Sequence, residues 1–311
     1  IGDDCASSDE SEWLLSRVVP QALAVVAMLV GTRRASLMRL PLLMLEVVLV
    51  IVQALAALTL PPPVRLITSA MQRPSHSEHT GSCGLARSAR SEASLRVQCI
   101  DRAAAEAHHH WAVDEAETVM RLDACLVSRL AHAPATAQSS LVPVPSSHLV
   151  TGGTGGLGLL TARWLGQRGA ACAVVLGSRS GVVATNMRAE WASVLAGNVS
   201  TLVRRCDTAE EAHVARVTTA APTMSVWHAA GVLADGVLHR QTAEALAHVH
   251  APKAHGAWAL HRACAMAVVP TCALFSSVAA LLGGEGQANY SAANASLDAL
   301  GSTCRERARA A

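Results

Sequence analysis

The second half of the chain alternates short apolar runs with longer stretches in which apolar residues recur at helical spacing. The apolar runs predict strands at 148–151, 172–176, 201–205, 224–228 and 271–275. The stretches between and after them predict helices at 159–168, from about 209, at 243–264 and at 287–307. Regular alternation of this kind is typical of parallel βαβ units, so the sequence predicts an α/β fold with a Rossmann-like, doubly wound parallel sheet.

The first half alternates less clearly and has no phosphate-binding glycines. Its pattern predicts helices at 13–30 and 42–59, a strand at 64–68, a glycine-led helix around 84–90 and a strand at 94–100. The stretch 133–147 is rich in Pro, Ser and Ala, a composition typical of a linker. We therefore predict two subdomains, one at 1–145 that includes the linker and one at 146–311.

The segment 42–60 is apolar enough to raise the question of a membrane span. A span needs about 20 apolar residues, and Glu46 and Gln53 interrupt this run. The spacing fits a buried helix that ends before Pro61, an interpretation that we favour over a membrane anchor. The acidic N-terminus lacks the charged region of a signal peptide. We therefore expect a piece of a longer, cytoplasmic chain, with an organelle left open.

Composition argues against several classes of function. A net charge of +2 without a basic patch gives no basis for nucleic-acid binding. The nine cysteines include no CxxC pair, so we predict free thiols and no metal site, and we interpret the three histidines at 108–110 as a solvated helix face. The chain has 24 Arg but a single Lys, Lys253, and a single Tyr, Tyr290. Where these two residues lie is therefore informative.

A glycine-rich turn follows the predicted strand at 148–151. Its glycines let the backbone bend tightly and approach a pyrophosphate, and the next helix N-terminus adds free N–H groups and a partial positive charge. A strand before the turn and a helix after it form the context that this motif requires. We predict that the turn binds the phosphates of a dinucleotide through Thr151, Gly152, Gly153, Thr154, Gly155, Gly156, Leu157 and Gly158.

The end of the second strand indicates which dinucleotide is bound. An NAD enzyme usually has an acid there for the ribose hydroxyl, whereas this chain has Ser178, Arg179 and Ser180. Arg179 suits the 2′-phosphate of NADPH, with a solvated loop arginine as the alternative. Asp207, after the third strand, is predicted to accept a hydrogen bond from adenine or to cap the next helix. Small residues after the fourth strand leave room for the cofactor: Ala229, Ala230 and Gly231.

A candidate catalytic set surrounds the lone Tyr. Tyr290 and Asn294 share a helix face, because they lie four residues apart. Ser277 ends the fifth strand, and Lys253 lies on the preceding long helix. In carbonyl reduction Tyr290 would donate a proton, which a nearby ammonium from Lys253 makes easier by favouring phenolate. Ser277 would position the carbonyl oxygen, and Asn294 would hold a water or a backbone link for proton resupply. Taken singly, each residue has a structural alternative: packing, capping or solvation.

Several strings resemble the ketoreductase domains of polyketide synthases and related fatty acid synthases, members of the short-chain dehydrogenase/reductase superfamily. They are TGGTGGLG, SRSG, HAAGVLADG, APKAHGAWALH and LFSSVAALLGGEGQANYSAANASLDAL. Other short-chain dehydrogenases usually carry Lys four residues after Tyr. Here Asn294 has that position and Lys253 lies upstream, an exchange that marks the synthase ketoreductases. In the first half, VRLITSAMQ, GSCGLARSARSEASLRVQCIDR and DACLVSRLAHA are similar to the family's structural subdomain, a degenerate Rossmann-like unit without cofactor.

The resemblance implies NADPH-dependent reduction of a β-keto thioester to the β-hydroxy thioester. The implied partners are an acyl carrier domain, whose phosphopantetheine arm carries the substrate, and other synthase domains. A non-catalytic structural or NADP-binding module is the alternative. Asp235 in an altered Leu-Asp-Asp motif, and Leu282 where one subtype has Trp, imply the D-hydroxy product. Because the family continues into another strand and a substrate lid, we expect the catalytic subdomain to be C-terminally truncated.

Overall fold

The computed structural model describes most of the chain, which divides into two compact units. The described residues are 25–29, 40–69, 79–102, 115–121, 124–131, 146–169, 171–197, 199–219, 224–265, 269 and 271–310. The first unit comprises Ile1–Leu130, Ala234–Ala247 and Ser277–Ala311, and the second comprises Ala131–Leu233 and His248–Ser276. These units are discontinuous in the chain, whereas the predicted subdomains 1–145 and 146–311 are continuous. The predicted division of the chain and its linker stay predictions. So does the interpretation of the three histidines at 108–110, which lie outside the described residues.

The first unit contains a sheet in the order β1-β2-β3-β4-β5. Its strands are β1 (Val25–Leu29), β2 (Val64–Ser69), β3 (Val97–Arg102), β4 (Glu117–Arg121) and β5 (Ala124–Leu126). The first four strands pair in parallel, and β5 pairs antiparallel with β4. Its helices are α1 (Leu40–Ala56) and α2 (Thr80–Ala93). The parallel strands and intervening helices agree with the degenerate Rossmann-like unit expected here.

The predicted helix at 13–30 is wrong where the structure describes it, because 25–29 is strand β1. A continuous apolar run of this length has the same appearance in a buried strand and in a buried helix. Residues 13–24 lie outside the described part of the chain. The helix predicted at 84–90 begins earlier, at Thr80, and β4 and β5 were not predicted.

Helix α1 is a core helix, as the spacing of its apolar residues predicts. The side chains of Leu45, Val48, Leu49, Val52 and Leu55 are buried at intervals of three and four residues. They pack with residues of β2 and α2 in one hydrophobic cluster. Within the described residues, no helix is both long enough and apolar enough to cross a bilayer. The apolar run is therefore explained by burial within the first unit.

The second unit contains a fully parallel sheet in the order β10-β9-β6-β7-β8. Its strands are β6 (Ser146–Thr151), β7 (Ala171–Ser178), β8 (Ser200–Arg205), β9 (Ser225–His228) and β10 (Cys272–Leu274). All were predicted within two residues at each end. Counted from β6, this is the strand order of a Rossmann sheet, in which the growth of the sheet reverses between β6 and β9. The carboxyl ends of these two strands therefore form the switch point where such folds bind ligands.

Helices of the second unit cover both faces of its sheet. In chain order they are α3 (Gly156–Gln167), α4 (Arg188–Leu195), α5 (Glu211–Thr219) and, after α6 (Ala243–His250), which lies mostly in the first unit, α7 (Gly256–Ala263). Val150 belongs to a buried cluster with Leu159 and Leu176, whereas its neighbour Leu149 belongs to a second cluster with Val214 and Leu260. Because successive strand residues point to opposite faces, these clusters lie on the two sides of the sheet. The doubly wound fold predicted from the sequence is confirmed.

The long helix predicted at 243–264 is interrupted. Helices α6 and α7 flank a π-helical turn at Ala251–His255, which contains Pro252 and Lys253. The backbone N–H of Gly256 reaches back five residues to the carbonyl of Ala251. Such wide turns occur mostly as single turns inside α-helices and often mark functional sites. After β10 the chain returns to the first unit, which ends with the helices α8 (Val278–Leu282) and α9 (Ala288–Ala310).

Candidate active site

The glycine-rich turn is closely packed where it supports its own backbone and open where it faces a cavity. Gly152 has a φ of +65°, and a Cβ at this position would lie 2.7 Å from the carbonyl oxygen of Ala229. A Cβ at Gly158 would lie 2.4 Å from the carbonyl oxygen of Gly152. By contrast, a Cβ at Gly156 would meet nothing within 4 Å. The turn therefore requires glycine for tight folding at two positions and presents bare backbone at the third.

A cavity of about 690 Å³ lies at the switch point of the second sheet. It contains most of the predicted cofactor residues: Gly152, Thr154, Gly155, Gly156, Leu157, Gly158, Ser178, Arg179, Ser180, Ala229, Ala230 and Gly231. The sequence missed other lining residues: Ala184, Asn186, Met187, Cys206, Thr208, Val232 and Pro252. Asn186 and Thr208 lie in the segments that follow β7 and β8. Their position after the carboxyl end of a strand was the one feature of the sequence that could have identified them as lining residues. The N-terminus of α3 and the close approach of backbone at Gly152 make this cavity fit a dinucleotide phosphate.

Three predicted cofactor residues do not line the cavity. Thr151 is fully buried, and its hydroxyl lies 2.7 Å from Nδ1 of His228. Gly153 is also buried, and a Cβ there would lie 2.6 Å from the carbonyl oxygen of Val150. These two residues support the turn. Asp207 Oδ1 accepts a hydrogen bond from the backbone N–H of Ala209, which forms an Asx turn just before α5, and its contact with adenine stays a prediction.

The loop after β7 leaves its arginine exposed. Ser178 is buried, and its Oγ accepts a hydrogen bond from the backbone N–H of Gly181 at 3.1 Å. Gly181 has a φ of +70°, a left-handed conformation that closes this turn without strain. Arg179, between them, is exposed and lines the cavity. A guanidinium held here by a short, fixed turn is suited to a phosphate.

Lys253 is buried at the edge of the cavity. Its side chain is 4% exposed, and Nζ donates a hydrogen bond of 3.0 Å to the carbonyl oxygen of Phe275. Its Cε lies 3.1 Å from where a Cβ would stand on Gly231, which lines the cavity. A lysine is seldom buried unless it is paired or functional. The solvated-surface alternative for Lys253 is therefore contradicted.

The other three predicted catalytic residues lie in the first unit. Ser277 is half-buried and caps α8, since its Oγ accepts a hydrogen bond from the N–H of Ala279 at 3.2 Å. That bond leaves the hydroxyl proton for donation. Tyr290 is half-buried near the start of α9, and its carbonyl accepts a hydrogen bond of 2.8 Å from Nδ2 of Asn294. Asn294 is fully buried, and its predicted role in proton resupply stays a prediction.

Asp235 is held next to the start of α9. Its Oδ2 accepts a hydrogen bond of 3.3 Å from Nε2 of Gln287, while the carbonyl of Ala234 accepts one of 2.7 Å from Nδ2 of Asn289. The N–H of Gly236 donates to the carbonyl of Gly286 at 2.8 Å. These three bonds fix the Asp235 segment to the segment that precedes Tyr290. No motif or spacing in the sequence indicates this anchoring.

Helix α2 supplies further anchors for the same segments. Glu92 accepts hydrogen bonds from the backbone N–H groups of Gly286 and Leu238. Arg87 pairs with Glu117 and also donates to the carbonyl of Ala280 in α8. Burial alone raises the pKa of Glu117, but hydrogen bonds and charge from Arg87 and Arg90 outweigh burial and lower the pKa. The residues around Ser277 and Tyr290 are therefore held by a polar face of the first unit.

Two buried histidines make the stability of the second unit depend on pH. Burial lowers the pKa of His228 and of His250 to about 4. Between pH 6.5 and about 4 the unfolded chain binds protons that these folded rings do not. The free energy of unfolding therefore falls as the pH falls through this window. Below about pH 4 both states are protonated, and the loss is complete.

Replacing His250 should remove a large part of this acid sensitivity. The Nε2 of His250 has no hydrogen-bond partner within the part of the chain that the structure describes, so His250→Gln breaks no described bond there. We expect the drop in unfolding free energy between pH 7 and pH 5 to shrink by about 2 kcal/mol, measured by denaturant titration at both values. The exposed His248 is the matched control: His248→Gln should leave the drop as it is. An unchanged drop in His250→Gln contradicts the assignment.

Comparisons with known proteins identify the family to which the chain belongs. A family model described as "KR domain" matches residues 146–311. The chain is 41% identical over 230 residues to the spectinabilin polyketide synthase system protein NorA of Streptomyces orinoci, a match that covers 70% of this chain and 12% of NorA. A solved structure of "A-type Ketoreductases from Modular Polyketide Synthase" is 30% identical with a TM-score of 0.75, covering 85% of this chain and 61% of that one. An "A1-type ketoreductase" structure is 27% identical with a TM-score of 0.79, covering 97% and 68%.

The chain therefore belongs to the KR family, the ketoreductase domains of polyketide synthases. The resemblance drawn from the sequence motifs is confirmed. The chain spans only 12% of the length of NorA, so the wider activity and the partners of the full protein are matters for proposal.

Proposed function

We propose that this protein reduces β-ketoacyl thioesters, carried on an acyl carrier domain, to β-hydroxyacyl thioesters with NADPH. The observation that best supports this proposal is the position of the one lysine of the chain. Lys253 is buried at the edge of the cavity that the glycine-rich turn lines, and it lies against Gly231. A merely structural module would not need an ammonium there, and burying one has a substantial energetic cost.

The cavity residues would bind NADPH along its whole length. The backbone N–H groups from Gly152 to Gly158 and the N-terminus of α3 would hold the pyrophosphate. Arg179 would bind the 2′-phosphate, and the small residues Ala229–Gly231 would let the nicotinamide end lie against the sheet. When bound, the cofactor supplies a hydride to the carbonyl carbon of the substrate.

The protein's own side chains would handle the oxygen and the proton. The Ser277 hydroxyl would donate a hydrogen bond to the carbonyl oxygen and orient it. As negative charge develops on that oxygen, the Tyr290 hydroxyl would transfer its proton to it, giving the alcohol. The Lys253 ammonium would stabilise the phenolate that remains, because opposite charges favour the ionised form. The Asn294 amide, bonded to the Tyr290 carbonyl, would keep the start of α9 in place.

The family also supports the partners in this proposal. The relatives are multidomain synthases, so the substrate would arrive on the phosphopantetheine arm of an acyl carrier domain among other synthase domains. Asp235, anchored beside the start of α9 and exposed to solvent, would face the incoming acyl chain and contribute to a D-hydroxy product.

The direct test is an assay of NADPH oxidation with a β-ketoacyl thioester. We expect turnover that requires both components, and the product should be identified as the β-hydroxyacyl thioester by mass spectrometry. NADPH binding without turnover at any substrate concentration would favour a non-catalytic, NADP-binding module instead.

Arg179 should decide the preference for NADPH over NADH. Arg179→Gln should weaken NADPH binding by about tenfold to a hundredfold, because a charge-assisted hydrogen bond to phosphate contributes about 1.5–3 kcal/mol. NADH, which has no 2′-phosphate, should bind nearly as before. Dissociation constants from the fluorescence of the reduced cofactors give the comparison. Arg163, exposed on α3 and outside the cavity lining, is the matched control, and equal losses for both cofactors would contradict the assignment.

A further inference from the structure

We infer that His228 is a positioning residue that holds Lys253 in its working place. This inference rests on the proposed function and adds to it a residue that the catalytic set does not include. His228 ends β9, at the switch point, and its ring is 0% exposed. All the contacts that carry the inference lie within the second unit.

Three hydrogen bonds join His228, Lys253 and Phe275 in a closed ring. The Nε2 of His228 lies 2.8 Å from the carbonyl oxygen of Lys253. The Nζ of Lys253 donates to the carbonyl oxygen of Phe275 at 3.0 Å. The N–H of Phe275 donates to the carbonyl oxygen of His228 at 3.1 Å. The ring therefore fixes both ends of the lysine, its backbone and its ammonium, against neighbouring strands β9 and β10.

The partners of His228 determine its tautomer. A backbone carbonyl can only accept, so Nε2 must carry the proton that it donates to Lys253. In a neutral ring Nδ1 is then an acceptor, and the hydroxyl of Thr151, 2.7 Å away, must donate to it. Burial lowers the pKa of His228 to about 4, and the nearby charge of Lys253 acts in the same direction. The imidazole of His228 is therefore neutral at physiological pH, so it orients Lys253 without adding a positive charge beside the ammonium.

A wide helical turn needs such a support. Lys253 lies in the π-helical turn Ala251–His255, where Pro252 has no N–H to donate. The carbonyl of Pro252 accepts a hydrogen bond of 2.8 Å from the Thr208 hydroxyl. The carbonyl of Lys253 accepts hydrogen bonds from Nε2 of His228 and from the backbone N–H of Gly256. Side chains from outside the helix thus supplement the backbone hydrogen bonds of this turn. Through Thr151, the same histidine ties the turn to the strand that leads into the glycine-rich loop.

Two substitutions separate the two contacts of the histidine. In His228→Gln the amide nitrogen takes nearly the place of Nε2, so the bond to Lys253 is kept and that to Thr151 is lost. In His228→Asn the shorter amide reaches Thr151 but not Lys253. We expect His228→Asn to lower kcat by about tenfold to a hundredfold, the loss typical of a misplaced catalytic group. The Kd for NADPH should change little, and His228→Gln should retain most of the activity.

A double-mutant cycle tests whether His228 acts through Lys253. If it does, His228→Asn has no further effect on kcat in a Lys253→Ala background, whereas an independent structural role gives additive losses. Additive losses, or equal losses in the Asn and Gln variants, would overturn the inference and leave the proposed function standing. An inactive wild-type protein would overturn the proposed function.

The single lysine allows a readout that does not depend on activity. Protein labelled with ¹³C only at the lysine carbonyl gives one resonance, that of Lys253. Loss of the bond from Nε2 should shift this resonance in His228→Asn, and His228→Gln should shift it much less. An unmoved resonance in a folded His228→Asn protein would contradict the contact itself, whatever the kinetics show.

Discussion

Replacing Tyr290 with phenylalanine should lower the rate of β-ketoacyl reduction by about a hundredfold to ten-thousandfold, the contribution typical of general acid catalysis. The ring is half-buried near the start of α9, and phenylalanine keeps its volume while removing only the hydroxyl. The backbone carbonyl that accepts the Asn294 bond is also unchanged. NADPH should therefore bind with an unaltered Kd, and the loss should fall on kcat. Stopped-flow oxidation of NADPH and fluorescence titration measure the two quantities.

A second hydroxyl on the same helix provides the control for Tyr290. Ser302 is exposed on α9, and its Oγ donates only to the carbonyl of Asp298 within the helix among the bonds described. Ser302→Ala should keep full activity. If Tyr290→Phe also reduced the thioester at the wild-type rate, another group would be the proton donor and the proposed role of Tyr290 would have to be abandoned.

Replacing Gly158 with alanine should abolish NADPH binding and destabilise the second unit. The added methyl group would stand 2.4 Å from the carbonyl oxygen of Gly152 and 2.5 Å from the Cα of Gly153. Both are backbone atoms, so the turn must open to admit it. We expect a loss of about 1–3 kcal/mol in unfolding free energy, as for an overpacked core. The loss of NADPH affinity should exceed a hundredfold, equivalent to about 2.7 kcal/mol, because the turn that would hold the phosphates has to open.

Gly156 offers the matched comparison within the same turn. A methyl group there meets nothing within 4 Å, and alanine is favourable at the start of a helix. Gly156→Ala should keep the wild-type melting temperature, measured by calorimetry. Wild-type NADPH affinity in Gly158→Ala would show that the cofactor does not approach this turn, and it would remove the support for a dinucleotide site.

The sequence was sufficient to predict the strands of the second sheet, because clear turn signals precede and follow them. Each of the five apolar runs is a strand in the structure, and the glycine-rich turn lies at the switch point of the sheet. Lys253 and Tyr290 could be singled out because composition left no other lysine or tyrosine to compete with them.

Other features depend on contacts that sequence patterns do not record. The run at 25–29 has no periodicity that separates a buried strand from a helix, and pairing with β2 decides for the strand. Asp207 satisfies the backbone of Ala209, a local bond that competes with any ligand. The supporting roles of Glu92 and His228 arise from residues far apart in the chain. No local spacing rule could have found them.

The wide turn around Lys253 sets the register of the helices on either side of it. A π-helical turn contains about one residue more than a regular α-helical turn. Deleting Ala251 would restore a regular turn and rotate the preceding positions by about 100° around the axis of α7. Lys253 follows Ala251 and would keep its register with α7, whereas the buried His250 would turn away from its present position. The extra residue therefore determines which side chains before the turn lie on the same helix face as the lysine.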